Sequence, residues 1–198
     1  MKNILLLLLA VVSLNVQAQK KKPVKKKPMA TASKSAVLAK SDNLTAEMLE
    51  KNDTYLFYTL SGKDTLFAKP IVKKEGAPAE VKIVPFTSGG AKLHLISWQQ
   101  KKKIGDAKTK LENITESRTE VWDVAAKKMV FENTYTVNNI TEVVWLDANK
   151  TASKTEEKIR RGGTECTLSA QGDIILKNKS QESKLVFDAK QQKFVAKK

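Results

Sequence analysis

Between Met129 and Val137 the chain alternates, with Met129, Phe131, Tyr135 and Val137 on one side and Glu132, Thr134 and Thr136 on the other. A period of two sends successive side chains to opposite faces of an extended chain, so this segment predicts a strand with one buried and one wet face. Tyr55 to Leu60 and Thr65 to Ala68 flank Ser61, Gly62, Lys63 and Asp64 and predict a hairpin. Val81 to Phe86 and Lys92 to Trp98 predict another around Thr87, Ser88, Gly89 and Gly90. Ile140 to Asp147 is apolar on both faces, as a central strand is. Ahead of these, Asn43 or Thr45 is suited to cap a short helix through Asn52, with Leu44, Met48 and Leu49 on one side. Gln99 to Lys103 reads as a basic turn, and Ile104 to Thr115 fits an irregular strand or a short helix. Thr151 to Arg161 is polar on both faces and reads as a long solvated hairpin arm ending at Gly162 and Gly163. Thr164 to Leu168, Asp173 to Lys177, Lys184 to Asp188 and Lys193 to Ala196 close the chain as strands. The pattern predicts an all-β domain of about 8–10 strands, a single antiparallel β-barrel or β-sandwich, with that short N-terminal helix attached.

Two of the predicted hairpins share a local design. Val121, Trp122 and Asp123, followed by Lys128, Met129 and Val130, align with Val186, Phe187 and Asp188, followed by Lys193, Phe194 and Val195. Each has an apolar pair, an Asp able to bond back to loop amides, a polar tip and a restart on Lys plus an apolar residue. A repeat architecture needs several copies, so these are two similar turns.

Residues 1–18, MKNILLLLLAVVSLNVQA, predict an export signal: Lys2 is the positive start, Ile4 to Val12 the apolar stretch, and Val16 with Ala18 the small residues before cleavage. Ser13, Asn15 and Gln17 break the run short of the ~20 apolar residues that a spanning helix needs. No transmembrane segment is expected after cleavage. Residues 19–43 hold eight lysines against Asp42, giving +7, and residues 44–198 hold 27 Lys and Arg against 20 Asp and Glu, also +7. Within the former, Lys20, Lys21, Lys22, Lys25, Lys26 and Lys27 surround Pro23 and precede Pro28, too polar and too proline-rich to order. Residues 19–43 are therefore expected to be a disordered basic linker. Its cationic stretch is either a spacer or an electrostatic tether to an anionic surface. The single domain expected over 44–198 is long enough to bury a core without staples. One cysteine, Cys166, in an exported chain fits a bacterial envelope protein, periplasmic or secreted, better than a disulfide-rich extracellular domain.

The chemistry is sparse. His94 is the one histidine, so neither a Ser-His triad with its supporting groups nor a multi-ligand zinc site follows from His94 and Cys166. His94 reads as an ordinary surface or half-buried residue and Cys166 as a buried thiol. No cofactor or metal is expected, and no phosphate loop, EF-hand or dinucleotide fingerprint occurs. Glycoside cleavage needs only two carboxylates across a cleft, for which Glu116, Glu120 and Glu142 are the candidates. Glu116, Arg118 and Glu120 alternate as a solvated ladder does, which is the plainer reading. Arg160, Arg161, Gly162 and Gly163 read as a turn rather than as an RNA-binding segment, and export argues against a nucleic-acid partner. Asn-x-Ser/Thr sites at Asn43, Asn52, Asn113, Asn139, Asn149 and Asn178 are chance occurrences in a bacterial chain and glycan acceptors in a eukaryotic one. Phe57, Trp98, Trp122, Phe131, Tyr135 and Trp145 are candidates to line a cavity for an amphipathic ligand.

The stretch Gly172 to Val195 is a glycine, an apolar strand, a polar gap, then Leu185 to Asp188 and a closing strand. In this it resembles the repeating strands of periplasmic lipopolysaccharide-transport jelly rolls. The resemblance implies a lipid carrier and assigns no site. The expected function is non-enzymatic: an exported β-sheet protein that binds or scaffolds an anionic partner at the envelope. A carrier of an amphipathic ligand is the second expectation, and an Asp/Glu-dependent glycan hydrolase the third.

Overall fold

Short turns with left-handed backbone set the path of the chain. Gly89 and Gly90 both have positive φ, 55° and 80°, which gives the two-residue turn whose twist matches paired strands. Asp42, Asn52 and Gly62 supply the left-handed residue in three earlier turns. The computed structural model describes residues 35–196; the expected export signal, 1–18, and the lysine cluster Lys20 to Lys27 lie outside them.

The described chain is all-β, with three antiparallel sheets, none closed into a barrel. The first sheet contains β1 (Ser35–Ser41), β2 (Leu44–Lys51), β3 (Thr54–Ser61) and β4 (Asp64–Val72). A 3-10 turn, Lys73–Glu75, leads into the middle sheet of β5 (Ala79–Ser88), β6 (Ala91–Asp106), β7 (Lys110–Asp123), β8 (Lys128–Trp145) and β9 (Ser153–Gly163). The third contains β10 (Glu165–Leu168), β11 (Ile174–Lys177), β12 (Glu182–Asp188) and β13 (Lys193–Ala196). Within each sheet every strand pairs with its sequence neighbour, and the first strand never meets the last.

Several expectations change, and the basic turn expected at Gln99 to Lys103 lies within a strand, β6. The helix expected from Asn43 to Asn52 is strand β2: Leu44 and Ala46, two apart, are both fully buried, and the segment pairs with β1 and β3 along its length. Tertiary pairing overrides a weak helical spacing. Residues 35–41, expected within the linker that ends at residue 43, form β1. The barrel alternative falls with the open sheets, and thirteen described strands exceed the number expected, chiefly because residues 35–51 add β1 and β2. Finally, Met129 and Phe131 do not share a face. Trp122 pairs with Met129 and Val121 with Phe131, so Val130 is the extra residue of a β-bulge. The bulge turns both Val130 and Phe131 toward the third sheet and leaves Met129 partly exposed.

The middle sheet is covered twice over part of its length. In β6, Ile96 and Trp98 point to the first sheet, where they join Trp122, Ala46, Phe57, Phe67 and Ile71. Leu93 and Leu95 point the other way and join Val121, Val130, Ile174 and Phe187. Phe57 lies 5.0 Å from the Trp98 ring centroid and Phe67 lies 5.4 Å from that of Trp122. Within the first core the Lys69 ammonium donates to Glu120, which is almost fully buried and also accepts a 2.9 Å bond from Trp122 Nε1. Lys69 further lies over the Phe67 and Trp98 rings, at 5.5 and 5.4 Å. A buried carboxylate is tolerated because a cation and an N–H satisfy it.

Beyond these cores β6, β7, β8 and β9 run on as a sheet without a layer on either face. On the side that continues from the first core, charges form a ladder: Lys110 with Glu112 at 2.6 Å along β7, Lys154 and Lys158 with Glu156 at 2.8 and 3.0 Å along β9, and Lys158 with Glu142 at 3.6 Å across the strands. Ile140, paired between Glu112 and Lys158, is buried beneath this ladder. The stems of long charged side chains cover apolar surface while their heads stay in water.

The third sheet meets the β5–β6 turn through glycine. A Cβ on Gly172, whose φ is +82°, would lie 2.0 Å from the Thr87 carbonyl oxygen. A Cβ on Gly62, φ +62°, would meet nothing within 4 Å. Gly62→Ala is expected to cost about 1 kcal/mol, from backbone conformation alone. Gly172→Ala is expected to cost clearly more, because a carbonyl must also move. Urea unfolding midpoints of the two variants check this, and equal losses would remove the close approach as the cause.

Candidate ligand-binding cleft

β9 reads SKTEEKIRRGG and forms an edge of the middle sheet, so one side of its backbone is unpaired and its side chains are largely exposed. Ile159 and Arg161, two apart, project from the face that carries the third sheet, as does Tyr135, which pairs with Gly163. The chain then leaves the middle sheet at Gly163, φ +77°, where a Cβ would lie 2.3 Å from the Thr134 carbonyl oxygen. Only a residue without a side chain turns there, and the turn brings β10 and the β11–β12 connection beside the end of β9.

Between them is a cleft of about 660 Å³ lined by Tyr135, Ile159, Arg160 and Arg161 on one side and by Glu165, Lys177 and Lys179 on the other. Its size falls in the range of small-molecule sites. Glu165 pairs across the sheet with Lys177, which also reaches Glu182 at 3.8 Å. The tip carrying Lys179 is fixed by Asn178, whose Oδ1 accepts from the backbone amides of Ser180 and Gln181 at 2.9 and 2.8 Å. Arg160, Arg161 and Lys179 make no ion pair among the described residues. The Arg160 charge does reach Glu112, whose carboxyl is held below its usual range first by Lys110, then by Asn138, and least by Arg160. The Arg161 guanidinium and the Lys179 ammonium beside a phenol ring and an isoleucine suit an anion carried on an apolar body, while the Arg160 side chain leaves from the opposite face of the strand, toward Glu112.

The six aromatic candidates do not line one cavity. Phe57, Trp98 and Trp122 fill the core against the first sheet, and Phe131 packs 5.7 Å from Phe194 against the third. Tyr135 reaches the cleft, and Trp145 is exposed near the far end of β8. The three carboxylates do not converge either. Glu120 and Glu116 are four residues apart along β7, or ~13 Å, and Glu142 is six residues along β8 from the partner of Glu116, or ~20 Å. Each also has a cation: Lys69 for Glu120, Arg118 for Glu116 at 2.6 Å and Lys158 for Glu142.

His94 is buried, with Nε2 3.5 Å from an Asp42 carboxylate oxygen, at the junction of the first and middle sheets. Cys166 is free and partly covered, and burial pushes its thiol up to about 11 despite a compensating bond with Thr119. Among the described residues there is no group of three or more His, Cys, Asp and Glu placed to hold a metal ion, and no helix is long and apolar enough to cross a membrane.

Arg161 thus belongs to a cleft that the sequence alone presents as a turn, and Lys177 and Lys179 draw no attention in the linear reading. The usable signal is a dibasic pair closing a polar strand, together with Lys-Asn-Lys at a predicted hairpin tip. No known protein family, curated protein or solved structure matches the chain.

Two titrations follow. A thiol at about 11 carries little thiolate at pH 8, and the higher nucleophilicity of a more basic thiolate offsets only part of that loss. Iodoacetamide is expected to alkylate Cys166 about tenfold more slowly in the native protein than in urea, as followed by mass spectrometry. The second concerns Glu156, whose carboxyl is lowered to about 2, first by its bond to Lys154 and then by Lys158. A depressed folded value means that its contribution is present above the ordinary carboxylate value and is lost as pH falls through about 2. Carboxyl-detected NMR is expected to show Glu156 still ionised at pH 3, where an unpaired glutamate is already protonated.

Proposed function

We propose that this chain is an exported, non-catalytic binding protein of the bacterial envelope, a layered β-sandwich scaffold that presents the cleft of Arg161 and Lys179 to an anionic partner. The observation that carries the reading is the cleft itself: Arg161 and Lys179, without an ion pair among the described residues, flank Tyr135 and Ile159 in a space of ligand size. Fixed hairpin tips and β-paired backbone hold these groups in place before any ligand arrives, which lowers the ordering cost of binding. The cluster Lys20, Lys21, Lys22, Lys25, Lys26 and Lys27 adds a diffuse positive field that raises the rate of encounter with anionic surface. The apolar floor extends the reading toward amphipathic ligands, whose charged group would meet Arg161 and Lys179 while their hydrocarbon lies along Ile159 and Tyr135.

Isothermal titration with monododecyl phosphate below its micelle concentration tests the proposal. Binding is expected, weaker for inorganic phosphate, and reduced about tenfold or more when Arg161→Gln and Lys179→Gln are combined. Equal affinity in the double variant, or no binding by the native chain, would refute the cleft as the site.

A further inference from the structure

The outer end of the middle sheet carries a second surface, remote from the cleft along β8. Trp145 and Leu146 stand at the last turn of the β8–β9 hairpin and are 47% and 60% exposed. The other two tryptophans, Trp98 and Trp122, are buried. The exposed pair is not on a loose loop. Leu146 N donates to Ala152 O at 2.9 Å, closing the hairpin. The Asp147 carboxylate accepts from Thr151 N at 3.0 Å, Thr151 Oγ1 at 2.9 Å and Ala152 N at 2.7 Å. These bonds, first among them that from the Thr151 amide, hold its carboxyl below the usual range.

The neighbouring β6–β7 turn is tied to the same end of the sheet, with Val143 N donating to Thr109 O at 2.7 Å. It is closed in the same manner by Asp106, which accepts from the Lys108 and Thr109 amides at 2.7 and 3.2 Å. Lys103, Lys108 and Lys150 are exposed here and have no ion pair among the described residues. The acids within the two turns, Asp106 and Asp147, direct their oxygens into those turns. The end of the sheet therefore presents an indole and an isobutyl group, rigidly held and convex, among uncompensated ammonium groups.

We propose that this end is a membrane-contact tip that seats Trp145 and Leu146 in the headgroup region of an anionic bilayer. An indole is most stable at the boundary between headgroups and acyl chains, where its ring is apolar and its N–H is wet. Lysines beside it extend to lipid phosphates, each strengthening attachment to an anionic surface about fivefold. A protein partner fits less well, because lysine is depleted from the cores of protein interfaces and two apolar side chains on a convex tip offer little area to bury. The tip and the cleft use different residues, so neither proposal depends on the other.

Tryptophan emission reads the contact directly, since Trp145 is the exposed indole of the three. The mature full chain is titrated with vesicles of phosphatidylcholine alone and of phosphatidylcholine with phosphatidylglycerol, the latter also in a form brominated near the top of the acyl chain. With phosphatidylglycerol present, the emission is expected to shift to shorter wavelength and to be quenched by the brominated lipid. Trp145→Phe is expected to abolish both changes, and Leu146→Ser to weaken partitioning about tenfold. Adsorption without an emission change would mean that the basic leader alone holds the protein, and would overturn the proposal. A shift that grows with protein concentration in the absence of lipid would assign the tip to self-association and overturn it equally.

Discussion

A strand that is apolar on both faces must be covered twice, and β6 is such a strand. Leu93, Leu95, Ile96 and Trp98 occupy six positions and divide between its two sides. Their burial requires one sheet above and another below, and the rest of the chain supplies them: four strands before the middle sheet and four after it. Beyond Gln100 the apolar demand ends, and so does the covering. The cores, the uncovered arm and the place where the third sheet stops short of β9 to leave a cleft all follow from where β6 changes from apolar to lysine-rich.

Much of this order is legible in linear form. The closing strands match their expected segments to within a few residues because turn residues bound each of them. The paired Asp123 and Asp188 hairpins behave as their shared pattern indicates: Asp123 accepts from the Ala126 amide, and Asp188 from those of Lys190 and Gln191. The two turns also meet, through Lys128 Nζ and Gln192 Oε1 at 3.2 Å. What periodicity misses has a physical reason. β2 carries Leu44, Met48 and Leu49 at a spacing that serves a helix as well as a strand, and only its neighbours choose between them. The bulge at Val130 shifts the alternation by one residue, which the side-chain pattern of a single strand does not reveal.

The functional surfaces are less legible than the fold because each is assembled from separate stretches. Arg161 acquires meaning only when Gly163 turns the chain and the third sheet delivers Lys177 and Lys179 to the same cleft. Six aromatic residues look equivalent in sequence, yet they divide among two cores, a cleft and an exposed tip, according to how far along its strand each one lies. Glu120, the most buried charged residue among those described, alternates with Glu116 and Arg118 like any surface residue; its burial is tolerated through Lys69, fifty-one positions away in the chain.

Each sheet is one uninterrupted stretch of polypeptide, and this bears on how the molecule assembles. Zipping a meander brings together residues already close along the backbone, so loop-closure entropy is small at every step. The costly search is the docking of finished sheets on one another. A chain emerging N-terminus first completes the first sheet while Phe57, Phe67 and Ile71 still lack the β6 and β7 surface that will cover them. During that interval a sticky aromatic face is open to water, and it is there that a holding chaperone would act.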